Sequence, residues 1–206
     1  MKRYGWALAL AMLVMVVPAL GQESDVQTEA TTFAQPVLIA SIGQSAGAQQ
    51  ARILALKAGL DHTFEQRPTV DMLEGYGTLI VVLGASSKGL GAAGVDMDGE
   101  IAWATELFER ARELEMSIVA MHIEGGARRG PSSDLATTTF APLADYLVVK
   151  GADPDEEWTE AEEANGNDDG LFTTIATDNE IPIVYICKTL DAVGVLQQLF
   201  GIGTDE

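Results

Sequence analysis

Five short apolar runs recur along the chain: VLIASI at 37–42, TLIVVLG at 78–84, SIVAMHI at 117–123, YLVVK at 146–150 and IPIVYIC at 181–187. Each is too short for a core helix and rich in Val and Ile, the composition of a strand covered on both faces. HTFEQ at 62–66 is more polar and predicts an edge strand. Between these runs the apolar spacing changes to three and four. In EIAWATELFERARELE, Ile101, Ala104, Leu107, Phe108, Ala111 and Leu114 share one helical face, with Glu109, Arg110, Arg112 and Glu113 on the other. Asp98 is placed to cap that helix, and Ser45 to cap AGAQQARILALKA, which stops at Gly59. Further helices are predicted over about 134–141, over about 170–179, and from Thr189 through LDAVGVLQQLF.

Repeated strand–helix alternation implies right-handed crossovers and a mostly parallel sheet of five to six strands. The expected architecture is a three-layer, doubly wound α/β domain, Rossmann-like or flavodoxin-like, over residues 36–202. In such sheets ligands bind beyond the carboxyl ends of the strands, where successive connections leave on opposite faces. That gap is expected between the first strand and the 78–84 strand, whose outgoing loops read SIGQS and GASSKGLGAAG. Long loops gather on this one rim and tight turns on the other, which favours a site there; tolerance of insertions at a surface edge is the competing explanation.

The amino end changes the cellular picture. Lys2 and Arg3 precede an apolar stretch that closes on Ala19-Leu20-Gly21, so residues 1–21 read as a signal peptide cut before Gln22, with 22–35 a polar tether. The protein is therefore expected to be exported, periplasmic or extracellular, with no membrane span after cleavage; a retained anchor is the alternative. Loss of Lys2 and Arg3 moves the formal net charge from -19 to -21. Such a surface argues against nucleic acid and anionic membranes as partners, and it leaves any protein partner unspecified. Cys187 is the single cysteine, which excludes an internal disulfide and a thiolate cluster. Its apolar run predicts a buried thiol, with a reactive one as the alternative.

Charge placement sharpens the rim hypothesis. Lys88, Arg128, Arg129, Lys150 and Lys188 all fall at or just past a strand's carboxyl end. Arg128 and Arg129 offer planar forks suited to carboxylate or phosphate, unless they neutralise Glu124, Asp134 or the acidic loop. The candidate ligand-binding set is Gln44, Ser45, Ser86, Ser87, Lys88, Gly89, His122, Arg128 and Arg129, for a small anionic or polar ligand. Ser86 and His122 are the candidate catalytic residues, Ser86 or Ser87 as nucleophile and His122 as base. GLGAAG at 89–94 spells a dinucleotide fingerprint, but it begins five residues past Gly84, so the required strand-to-helix turn is missing. Asp96, Asp98 and Glu100 suit a hard cation or a helix start. NGNDDG ends an acidic insertion at 153–169 and resembles part of a calcium loop without its closing Glu. No metal or organic cofactor is expected, a divalent cation being the alternative.

Read together, PVLIASIGQSAGAQ, GASSKGLGAAGVDMDGEI, MHIEGGARRGPSSD and GNDDGLFTTIA resemble an exported family of bacteria and archaea known as domain of unknown function 6305. The resemblance spans roughly residues 36–200 and implies an exported α/β domain without supplying catalytic roles. Three functions follow as expectations: an extracytoplasmic small-ligand-binding domain, a hydrolase or transferase using the same pocket, or a cell-surface interaction or assembly protein.

Overall fold

The computed structural model describes residues 32–154 and 165–203. The predicted signal peptide, most of the tether and the centre of the acidic insertion lie outside them. Six strands form one parallel sheet: β1 (Val37–Ile42), β2 (His62–Phe64), β3 (Thr78–Leu83), β4 (Ser117–His122), β5 (Tyr146–Lys150) and β6 (Ile183–Ile186). Their order is β2-β1-β3-β4-β5-β6, and every neighbouring pair is parallel. HTF is the polar edge strand, beside fully buried VLIASI.

The helices are α1 (Gly47–Ala58), α2 (Ser87–Ala93), α3 (Met97–Glu113), α4 (Pro131–Phe140), α5 (Leu171–Asp178) and α6 (Ala192–Leu199). Alternation along each strand divides the core between two faces. Val37, Ile39, Ile80, Val82, Val119 and Met121 pack with α1 and α6. Leu38, Ala40, Ile42, Leu79, Val81 and Leu83 pack with α3, α4 and α5, where Leu107, Phe108, Phe140 and Phe172 supply most of the bulk. The result is the three-layer α/β arrangement, with the connection reversal between β1 and β3.

Several local expectations are corrected. The stretch after β3 is not all loop: Ser87–Ala93 is a short helix, capped by Ser86 and closed at Gly94 in the left-handed region. The long helix starts earlier than expected, so Asp96 is its cap, its Oδ1 accepting from Gly99 N at 2.8 Å, while Asp98 lies in the first turn. Ser45 sits two residues ahead of the start of α1, whose cap position is Ala46. Cys187 is exposed rather than buried, because β6 ends at Ile186 and the chain turns outward. No helix among the described residues is long and apolar enough to cross a membrane.

Candidate functional site

The loop leaving β1 turns through Gly43 at φ 98° and Gln44 at φ 58°, a region a non-glycine residue seldom enters. Glu100, fully buried in the first turn of α3, holds it there. Gly43 N and Gln44 Nε2 both donate to Glu100 Oε1, at 3.0 and 2.7 Å, and Arg67 Nε donates to Oε2 at 3.3 Å. Gln44 thus directs its amide inward, onto a carboxylate of its own chain.

The loop after β3 is stitched to the same segment. Gly84 N donates to Ile42 O at 3.1 Å, Ser86 N to Gly43 O at 2.8 Å, and Gln44 and Ala85 form an antiparallel bridge. A Cβ on Gly89 would stand 2.0 Å from Gln44 O, so only glycine permits this approach. Backbone therefore fills the switch point where the sequence pattern leads one to expect a crevice. Ser86 Oγ accepts from Gly89 N at 3.1 Å as a helix cap, while Ser87 and Lys88 are exposed. Ser45 is buried, its Oγ accepting from Gly47 N at 3.2 Å.

Glu124, just past β4, folds back against the start of α1. A Cβ on Gly47 or Gly84 would lie 2.6 or 3.1 Å from its Oε2. The position favoured for an anion by the α1 dipole is thus taken by an internal carboxylate. Glu124 Oε1 accepts from Arg128 Nε at 3.0 Å, whereas buried Oε2 has no hydrogen-bond partner among the described residues. Arg128 Nη1 also donates to Ala85 O at 3.2 Å, joining the β3 and β4 loops.

Arg128 stands between two cavities on this rim. One, of about 290 Å³, is lined chiefly by polar groups: Gln50 of α1, Glu124, Arg128, Lys150 at the end of β5, and Thr189 beyond β6. Thr189 Oγ1 donates to Ile123 O at 3.0 Å and accepts from Lys150 Nζ at 3.2 Å, which fixes the far wall. The other, of about 170 Å³, opens at the start of α4 between Ser87, Arg128, Arg129 and Ser132. Ser133 Oγ accepts from Ala85 N at 2.9 Å and closes its floor.

Arg129 belongs to the scaffold. Its Nε donates to Asp134 at 2.6 Å, Nη1 to Gly166 O at 2.7 Å and to Asp169, and Nη2 to Asp169 at 2.8 Å. The hydrogen bonds that Arg129 donates to Asp169 keep the guanidinium more firmly charged than usual despite its partial burial, and the same bonds hold the Asp169 carboxyl below the ordinary range. Both arginines are thus already paired with carboxylates, the alternative weighed for them from the sequence. Arg128 differs in lining both cavities.

His122 is also interior. It is 1% exposed, stacks against Phe172 with centroids 5.1 Å apart, and presents Nδ1 to Leu83 O at 2.9 Å and Nε2 to Gly125 O at 3.1 Å. The two carbonyls favour an imidazolium, but burial outweighs them and lowers the pKa; Arg129 lowers it further. No hydrogen bond joins His122 to Ser86 or Ser87, so the described geometry contains no nucleophile–base pair of the expected kind. In the NGNDDG stretch, Asn165 Oδ1 accepts from Ala152 N and Asn167 N, and Asn167 bonds Ala152 O, Thr173 and Phe172 N. These side chains clamp a loop. No group of three or more His, Cys, Asp or Glu positioned for a metal occurs among the described residues.

Sequence reasoning passed over Gln50 and Thr189 as site residues, and it weighed Glu100 only as a cation ligand or helix-start charge and Glu124 only as a neutralising partner of the arginine pair. One signal was available: Glu124 precedes Arg128 by four residues, the spacing of a local ion pair. Nothing in the spacing of Gln50 or Thr189 indicates that they meet.

A family model described as a domain of unknown function (DUF6305) matches residues 34–200. No curated protein matches the chain. Among solved structures, a GDSL-like lipase from Bacteroides thetaiotaomicron is similar at 11% identity and a TM-score of 0.34, over 74% of this chain and 72% of that one.

Proposed function

The chain belongs to the family described as domain of unknown function 6305, and from that premise we propose that it is an extracytoplasmic binding domain for a small anionic or polar ligand. The observation that carries this is the polar cavity of about 290 Å³ in which Arg128 and Lys150 converge. In a protein of net charge -19 that pairing of cations at one concave site is a local exception to a field that repels anions. Gln50 and Thr189 add hydrogen-bonding groups from two further elements, the convergence of polar groups typical of a small-molecule site. Glu124 competes for Arg128, so a ligand anion takes Arg128 only by sharing it, which favours millimolar to micromolar affinity over very tight binding. The serine–histidine hydrolase alternative has no corresponding support, because His122 and Ser86 each bond to backbone.

The test is calorimetric titration with phosphate, acetate, citrate and neutral polyols. Saturable binding of at least one anion is expected, weakened roughly tenfold in Gln50→Glu, where a new carboxylate at the cavity wall opposes the ligand. Gln50 is exposed, so this variant leaves the core untouched. Absence of saturable binding across the panel, or identical affinities in Gln50→Glu, would contradict the proposal.

A further inference from the structure

The polar cavity does not end in polar surface. A second depression of about 230 Å³, almost wholly apolar, is lined by Ile53, Leu54 and Leu190 together with Gln50 and Thr189. The last two also line the polar cavity, so the depressions adjoin along a shared wall formed by α1 and the turn before α6. Ile53 and Leu190 are 54% and 61% exposed, large apolar side chains left facing water beside a site that holds two cations.

Resting on the proposed rim site, we infer that its ligand is an amphiphile: a carboxylate with a linear aliphatic tail. The head lies between Arg128 and Lys150, and the tail runs past Gln50 and Thr189 onto Ile53 and Leu190. A purely polar ligand leaves the apolar shelf uncovered, and an uncharged hydrocarbon makes no use of the polar cavity that Arg128, Lys150 and Glu124 line. A molecule with both ends satisfies the two adjoining surfaces at once. The shelf is shallow and one-sided, so it suits a flexible chain more than a ring needing enclosure. Each methylene laid on it removes apolar surface from water at both partners.

The experiment is titration with acetate, butanoate, hexanoate and octanoate, each kept below its micelle-forming concentration, beside hexyltrimethylammonium as the cationic counterpart. Affinity is expected to rise two- to threefold per methylene beyond butanoate. That slope should flatten in Ile53→Ser and Leu190→Ser while acetate binding is unchanged, and hexyltrimethylammonium should not bind. Anion binding without chain-length dependence would overturn the amphiphile and leave the anion site standing. Failure of every carboxylate and of phosphate would remove the rim site itself. A concentration-dependent dimer that Ile53→Ser or Leu190→Ser dissociates would assign the shelf to a second copy of the chain and also overturn the inference.

Discussion

Gly89 and Gly91 sit two residues apart in the same short helix, yet their surroundings differ completely. A Cβ on Gly89 meets Gln44 O at 2.0 Å, while nothing lies within 4 Å of one on Gly91. Gly89→Ala should therefore cost about 2 kcal/mol or more through a forced backbone shift, and Gly91→Ala should be neutral or stabilise by about 0.5 kcal/mol. Urea denaturation of the two variants checks both signs. His122 offers a second residue-scale test. Burial lowers its pKa, so below about pH 6.5 the unfolded chain takes up a proton that the folded chain refuses. This contribution makes stability fall as pH drops from about 7 toward 5, and it levels off once the pH is below the folded-state value. Asp169, held low by Arg129, contributes a separate loss below about pH 4. His122→Leu should be less stable throughout, because whichever of Leu83 O and Gly125 O the neutral ring's single N–H serves loses its donor, but its urea midpoint should vary less between pH 7 and 5. An unchanged slope would refute the assignment.

Among the elements, α3 shows how side chains at a helix start divide the work. Asp96 caps it, Asp98 adds a charge in the first turn, and Glu100 turns inward to hold Gly43, Gln44 and Arg67. Asp96→Ala should lose about 1 kcal/mol and Asp98→Ala much less. Glu100→Ala should lose about 3 kcal/mol, since it leaves a buried amide and Arg67 without their acceptor. Thermal denaturation orders the three. The strands and the long helix were legible because apolar periodicity is written in each segment itself. VLIASI and TLIVVL could hardly be anything but covered parallel strands, and they pair from Val37 with Thr78 to Ile42 with Leu83. The site was legible only as a rim. Gln44 and His122 are polar residues at strand ends, which suggests ligands, but their partners come from Glu100, Leu83 and Gly125, distant or backbone groups that residue type does not announce. Cys187 was misassigned because an apolar run does not reveal that the strand stops one residue short of it.

At the scale of the whole molecule, a formal charge of -19 makes self-repulsion a general term, to which the proposed anion site at Arg128 and Lys150 is a local exception. Added salt should raise global stability by screening the acidic surface while weakening anion binding at the rim, opposite responses of one electrostatic field. The most direct test of the rim site is to follow backbone amide resonances while titrating hexanoate into the ¹⁵N-labelled protein. Binding as proposed predicts saturable shifts concentrated at Gln50, Glu124, Ala127, Arg128 and Thr189, with the Ser86 to Gly94 helix nearly silent. Shifts confined to that helix, or none that saturate, would contradict it.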